Sequence, residues 1–281
     1  MSTVSFALNH MCAPQLNLAD FFVLAVTLGC DAVEIRNDLE GNAILDGTAP
    51  EKVREEAARA GVRIISINAL QRFNAWDDTR AEEAAQLIGY AERCGAEALV
   101  LVPTNDGSGL GESERRQNLR HALAALQPML ESAGVRGLVE PLGFASCSLR
   151  SKTEAAEAID DLSAQATFKL VHDTFHHHLA GEAQLLPDMT GLVHISGVED
   201  PALAVDAMRD AHRLLVGTDD LIGNVDQIRQ LRALGYSGYF SFEPFAAEVH
   251  ALAAPAQALR DSMAYIRSAS EDRSSAVRHT A

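Results

Sequence analysis

Eight short apolar runs alternate along the chain with longer segments of helical periodicity, and this alternation limits the folds that the chain can adopt. The apolar runs read VSFAL, AVEIR, VRIISIN, ALVLVP, VRGLVE, FKLVHD, LVHIS and YFSFE. Eight strand–helix repeats within about 270 residues match the size of a (β/α)8 barrel. An open doubly wound sheet is the alternative, but its usual glycine-rich turn is missing from NHMCAPQLN, which follows the first strand. We therefore predict an α/β fold, a single (β/α)8 TIM barrel.

The predicted barrel occupies one domain. No low-complexity linker or visible boundary divides the sequence, so we assign residues 1–268 to the barrel. The end of the chain, SEDRSSAVRHTA, is polar, and residues 269–281 are therefore expected to form a disordered tail.

The chain is acidic, and its net charge of −16 argues against a nucleic-acid partner, because phosphate binding needs clustered Lys and Arg. The same charge disfavours anionic membranes, and no apolar stretch approaches the roughly 20 residues that span a bilayer. MSTVSFALNHMC lacks the features of a signal peptide, and the four cysteines have no CxxC spacing. These features predict a cytoplasmic protein that acts on a small neutral or weakly charged molecule, with no nucleic-acid or membrane partner.

Residue types that bind metals stand at the ends of the last four apolar runs. Glu140 closes VRGLVE, Asp173 closes ATFKLVHD, His194 lies in GLVHI, and Glu243 closes GYFSFE. Consecutive strands of a barrel are neighbours and their carboxyl ends carry the active site, so these side chains are expected to meet at the barrel mouth. Burying three carboxylates beside an imidazole is costly unless a cation holds them together.

This predicted ligand set suits one divalent metal ion, Mn²⁺, Mg²⁺, Co²⁺ or Zn²⁺, with open positions for substrate oxygens. Taken singly, each acidic residue could be a helix cap or a surface charge, and His194 could be a hydrogen-bonded core histidine. Four such residues at successive strand ends favour the metal site over these separate explanations. The absence of thiolates from the set argues against a structural zinc site.

Seven motifs make the chain resemble a known family. They are AVEIR at 32–36, INALQRFN at 67–74, VEPLGF at 139–144, HDTFHHH at 172–178, VHIS at 193–196, HRLLVG at 212–217 and FSFEPF at 240–245. With them the chain resembles the xylose-isomerase-like sugar isomerase and epimerase barrels, and most closely the inosose (2-keto-myo-inositol) isomerases. The likeness runs from the first strand to the eighth helix. It implies that the family's metal ligands fall on Glu140, Asp173, His194 and Glu243.

The resemblance also implies a reaction in which a carbonyl exchanges with the neighbouring hydroxyl. The metal would polarise the carbonyl, and a carboxylate would then remove the adjacent C–H proton to give a cis-enediolate. Glu140 and Glu243 are the implied general base and acid. A single Glu suffices if one face of the substrate is used throughout, whereas inversion at a carbon needs both. His176 and Arg213 are the implied contacts to substrate oxygens, because both can donate to an oxygen that gains negative charge.

Three residues near the end of the third strand are further candidates for substrate binding. Asn68, Phe73 and Trp76 are expected to shape the pocket, with a packed loop as the alternative.

Two other segments leave alternatives open. Glu34 either reaches the pocket or pairs with Arg36 or Arg63. After Arg213 the chain reads LLVGTDDLIGN, where the family usually has a Pro-Gly-x-Gly turn, and the paired aspartates either alter the local field or cap the next helix. The preceding stretch, GVEDPALAVDAMRDA, is expected to form a different lid.

The predicted function is a metal-dependent isomerase of inososes or related ketoses, with a polyol ketone as substrate. A ketose 3-epimerase and an inosose dehydratase are the nearest alternatives because they use similar machinery. An endonuclease IV-like hydrolase would need further His and Glu ligands and a basic surface. A degenerate binding protein would have lost one of the ligands, and none is lost. A homo-oligomer is compatible with such a barrel, although no sequence feature fixes its state.

Overall fold

The computed structural model describes residues 4–39, 41, 44, 47–108 and 111–271. Within them the strands are β1 (Phe6–Asn9), β2 (Ala32–Arg36), β3 (Arg63–Gln71), β4 (Ala98–Val102), β5 (Arg136–Val139), β6 (Phe168–Asp173), β7 (Thr190–Ile195) and β8 (Phe240–Phe242). Every neighbouring pair is parallel, and β8 pairs with β1 to close the sheet. The predicted (β/α)8 TIM barrel is confirmed.

The α-helices of the described residues follow the strands in turn. They are α1 (Leu18–Thr27), α2 (Pro50–Ala60), α3 (Asp78–Cys94), α4 (Glu112–Ala133), α5 (Lys152–Asp161), α6 (Thr174–Ala180), α7 (Asn224–Ala233), α8 (Ala247–His250) and α9 (Pro255–Glu271). Side chains at the N-cap position cap four of them. Asn17, Asp77, Ser151 and Asp173 accept hydrogen bonds from backbone N–H groups of the first turns of α1, α3, α5 and α6. None of these helices is long and apolar enough to cross a membrane.

The predicted tail begins inside the last helix. Helix α9 continues to Glu271, so residues 269–271 belong to it. The rest of the predicted tail, 272–281, lies outside the described residues.

The strands have two faces with different packing. Val33 and Ile35 of β2 belong to the large hydrophobic core that joins strands and helices. A second buried cluster draws its members from strands alone, as expected for the interior of a barrel: Ala7, Ala32, Ile65, Ala69, Ala98, Val100, Leu138, Val171 and Leu192. Side chains alternate along a strand, so residues two positions further on share this interior face. That rule places residues 34, 140, 173 and 194 above the apolar interior, towards the carboxyl ends of the strands.

Candidate metal centre and active site

The four predicted ligands converge at the carboxyl ends of β5 to β8. All four are buried, and one donor atom from each lies within 4.8 Å of the others. The Nδ1 atom of His194 lies 2.8 Å from Glu140 Oε1, 3.1 Å from Glu243 Oε2 and 3.9 Å from Asp173 Oδ2. Among the described residues, no other group of three or more His, Cys, Asp or Glu side chains converges in this way.

Positive charges balance these carboxylates. Arg213 Nη2 donates to Asp173 Oδ2 at 2.5 Å and to Glu243 Oε2 at 3.0 Å. Burial opposes a charged imidazole, but the surrounding glutamates raise the pKa of His194 well above its ordinary value. Burial also opposes a charged carboxylate, yet His194 and the neighbouring arginines lower the pKa of Glu243.

Glu140 lies in a different environment from Glu243. Burial raises the pKa of Glu140, although His194 opposes the rise. No arginine donates to Glu140 among the described residues, whereas two arginines donate to Glu243. The pKa values of Glu140 and Glu243, the predicted general base and acid, are therefore shifted in opposite directions.

The donor set fits a divalent metal ion. It offers three carboxylate oxygens and one imidazole nitrogen in a buried space where each donor faces the others. Oxygen donors with one imidazole suit the borderline and hard divalent ions. An imidazole must give up its proton before it binds a metal, so metal binding at this cluster would displace protons.

A cavity of about 360 Å³ opens beside the cluster. Glu140 and Glu243 line it, together with polar side chains from β2, β3, α6 and the segment after β7, namely Arg36, Asn68, His176 and Arg213. Phe144 and Phe245 add aromatic surface to the same wall. A small cavity with aromatic surface and a few convergent polar groups is the usual form of a small-molecule site.

His176 lies in this wall with a nitrogen available. Its backbone N–H donates to Asp173 Oδ1 at 3.0 Å, and its ring packs edge-on against Phe144 with centroids 5.1 Å apart. Nδ1 of His176 is buried and has no hydrogen-bond partner in the described part of the chain. The ring is therefore held in place while one nitrogen can take a ligand oxygen.

The three candidates from the third strand are placed differently from one another. Asn68 lines the cavity, and its Nδ2 donates to Glu34 Oε2 at 2.8 Å. Phe73 is fully buried in the core between strands and helices, and Trp76 packs against the same core. Strand β3 ends at Gln71 and Arg72 takes a left-handed φ of 55°, so strand alternation does not extend to Phe73. The structure brings Asn68 to the cavity wall, and places Phe73 and Trp76 elsewhere.

Glu34 and Arg36 also belong to the site. The sequence left two alternatives open for Glu34 and gave Arg36 no role in the site. Glu34 is fully buried inside the barrel and bonds His194 instead of pairing with Arg36 or Arg63. Arg36 Nη1 donates to Glu243 Oε1 at 2.8 Å, and its other nitrogens hold Asp38. The alternation of AVEIR could have shown this, because a strand whose Val and Ile face the helices must turn its Glu and Arg inward.

The segment around Arg213 forms a compact cover. Gly197 and Leu214 form an antiparallel bridge, and the stretch between them contributes Val198 and Met208 to a small apolar cluster with Phe175. Asp220 accepts hydrogen bonds from the backbone N–H of Val198 and from that of Asn224, the first residue of α7. Asp220 therefore fits the second explanation for the paired aspartates, because it caps α7. It also links the cover to the start of that helix.

Gly143 allows the loop after β5 to approach α6 closely. A Cβ atom at this position would collide with the His176 carbonyl oxygen and with Leu179 Cβ. We expect Gly143→Ala to lower the free energy of unfolding by about 1–3 kcal/mol, as overpacking does. Urea unfolding followed by circular dichroism measures this change.

Gly89 provides the matched control. It lies within α3, and a Cβ atom added there would meet open space, so Gly89→Ala should stabilise the helix by about 0.5–1 kcal/mol. Equal stability of Gly143→Ala and the parent chain would contradict the close approach.

The fold and the cluster together define a class of protein. A closed parallel barrel with a buried Glu–Asp–His–Glu cluster at its carboxyl ends is a sugar isomerase/epimerase-like TIM barrel. Residues 22–269 match the family model of the xylose isomerase-like TIM barrel. The chain belongs to that family.

Known proteins similar to the chain agree with this assignment. Inosose isomerase of Bacillus subtilis (strain 168) is 25% identical over 205 residues, which cover 69% of this chain and 71% of the relative. A xylose isomerase domain-containing protein from Salmonella typhimurium LT2 is 31% identical, with a TM-score of 0.84 and coverage of 95% of this chain and 98% of that one. The IOLI protein with a bound zinc atom is 22% identical, with a TM-score of 0.82 and coverage of 94% and 98%, a likeness that shows the fold alone.

Proposed function

We propose that the protein is a divalent-metal-dependent isomerase that interconverts inososes or related ketoses by moving a proton between neighbouring carbons. One observation carries this proposal: Glu140 and Glu243 belong to the buried cluster and also line the cavity. Each is therefore within reach of both a bound ion and a bound substrate. The similarity to inosose isomerase supports a keto-inositol as the substrate.

When bound, a divalent ion supplies a Lewis acid that makes the C–H beside the substrate carbonyl more acidic. We propose Glu140, Asp173, His194 and Glu243 as its ligands. The proposed ion is Mn²⁺, Mg²⁺, Co²⁺ or Zn²⁺. The IOLI protein, which shares the fold, binds a zinc atom.

Proton transfer is proposed for the two glutamates. Glu243 is held as an anion because Arg36 and Asn9 donate to Oε1 and Arg213 donates to Oε2. Glu140 accepts one hydrogen bond among the described residues, from His194 to Oε1. We therefore propose Glu140 as the base that takes the substrate proton, with Glu243 as its partner when configuration inverts.

The cavity wall positions the substrate oxygens. His176 offers an imidazole nitrogen without a partner among the described residues, and Arg213 brings a buried guanidinium to the same wall. Both can donate to an oxygen that gains negative charge as the proton leaves. Asn68 completes the polar side of the cavity.

Proton NMR in D₂O with a panel of inososes and ketohexoses tests the proposal. We expect the C–H next to the carbonyl of an inosose to lose its signal through exchange, with formation of an isomeric inosose. Exchange at C3 of a ketohexose with inversion would instead identify a 3-epimerase, and loss of water would identify a dehydratase. An absence of exchange with every compound, in protein loaded with each of the four metals, would contradict the isomerase.

A further inference from the structure

Glu34 is a carboxylate inside the barrel that accepts four hydrogen bonds. Its side chain is fully shielded from solvent. Oε1 accepts from the Ser241 hydroxyl, and Oε2 accepts from the Ser66 hydroxyl, from Asn68 Nδ2 at 2.8 Å and from His194 Nε2 at 3.1 Å. A buried carboxylate is retained only when such donors replace its water, and these four come from β3, β7 and β8.

The regular alternation of β2 aims Glu34 at this position. The register of β2 with β3 shifts between Val33 and Glu34, because Val33 pairs with Ile64 and Glu34 pairs with Ser66. The extra residue therefore lies in β3, and the shift sets Ser66, one of the donors to Glu34, opposite it. Ala32 lies in the interior apolar cluster, so Glu34 stands one layer above it on the same face.

The contact with His194 decides which imidazole nitrogen faces the carboxylate cluster. An ionised carboxylate can only accept, so a hydrogen bond between Glu34 Oε2 and His194 Nε2 requires a proton on Nε2. Nδ1 lies 2.8 Å from Glu140 and 3.1 Å from Glu243. Without a metal the charged imidazole also donates from Nδ1 to Glu140, and this Nδ1 proton is the one that a metal would displace. Nε2 therefore faces Glu34, and Nδ1 faces the carboxylate cluster.

We infer that Glu34 is a positioning residue of the metal centre, which holds His194 in the tautomer protonated at Nε2 and leaves the Nδ1 lone pair for the metal. The inference rests on the metal site of the proposed function. An outer carboxylate of this kind fixes the orientation of the imidazole and makes it a stronger donor, and its loss typically costs 10–100-fold in metal affinity.

Calorimetric titration of Co²⁺ into the full chain, stripped of metal, tests this role. We expect Glu34→Gln to weaken Co²⁺ binding by about 10–100-fold. Glu97→Gln is the matched control, because Glu97 precedes β4 at the opposite end of the barrel and pairs with the exposed Arg63. This control should bind Co²⁺ with the parent affinity.

A second measurement reads the tautomer directly. Histidine labelled with ¹⁵N in the Zn²⁺-loaded parent chain should show His194 protonated at Nε2 and coordinated through Nδ1. Coordination through Nε2 would overturn the inference. If Glu34→Gln does not fold, Ser66→Ala combined with Ser241→Ala keeps the carboxylate but removes two of its donors, and a loss of Co²⁺ affinity is again expected.

The outcomes separate the two proposals. Failure of the parent chain to bind Co²⁺ or any other of the four metals would remove the metal site itself. If the parent chain and Glu34→Gln bind Co²⁺ with equal affinity, the metal site is supported and the positioning role of Glu34 is contradicted. Unchanged affinity in the double serine variant would count against that role in the same way.

Discussion

Glu140→Gln is expected to reduce turnover to the background rate. The amide cannot take up the substrate proton, and the loss of a positioned acid–base group alone typically costs about 10²–10⁴-fold. The variant also loses a charged member of the buried cluster, so the effect lies at the upper end of this range. Initial rates with saturating metal and the accepted ketose measure it, with circular dichroism as the check on folding.

A second active-site variant and a surface control are needed to interpret the rate of Glu140→Gln. Glu243→Gln should cause a comparable loss, because Glu243 shares the cluster and the cavity. Glu131→Gln is the control, since Glu131 is an exposed residue near the end of α4 that accepts from Gln127 and Thr167. It should turn over substrate like the parent chain. Normal activity in either active-site variant would remove the proposed mechanism.

Removal of divalent metal by a chelator is expected to stop turnover completely. The proposed mechanism assigns proton transfer to the carboxylates of the cluster, but side chains supply no Lewis acid to acidify the substrate C–H. Activity should return when one of Mn²⁺, Mg²⁺, Co²⁺ or Zn²⁺ is added back after the chelator is dialysed away. The ion that restores the highest rate identifies the preferred metal.

The control for chelation is the far-ultraviolet circular dichroism spectrum, which shows whether the barrel stays folded. A fall in activity without unfolding supports a catalytic role for the metal. Undiminished rates in protein that elemental analysis shows to be free of metal would refute the metal-dependent mechanism.

Much of the fold and the cluster followed from local sequence patterns. Alternating apolar runs and helical segments predicted the barrel, because the connections between parallel strands leave few other arrangements. Glu140, Asp173, His194 and Glu243 could be grouped because consecutive strands are neighbours in a barrel. Their positions at strand ends were visible without any tertiary information.

Other residues depended on tertiary contacts that local patterns do not specify. Alternation along β2 could turn Glu34 inward, but it could not identify its partners Ser241 and His194, which lie far along the chain and meet it only across the barrel interior. Phe73 was expected in the pocket because it follows β3 closely. The turn at Arg72 ends the alternation of the strand, and a single backbone angle of this kind is not encoded in hydrophobic periodicity.

The four hydrogen bonds of Glu34 also bear on the order in which the chain can fold. Glu34 lies in the second strand, whereas His194 and Ser241 follow it by 160 and 207 residues. A growing chain that has not yet produced β7 and β8 leaves this carboxylate without two of its donors and leaves the first strand with an unpaired edge. Contacts of such long separation form late because the loop between them must close first. The amino-terminal half alone therefore cannot complete the hydrogen bonds of Glu34 or close the sheet, because both require the last strands.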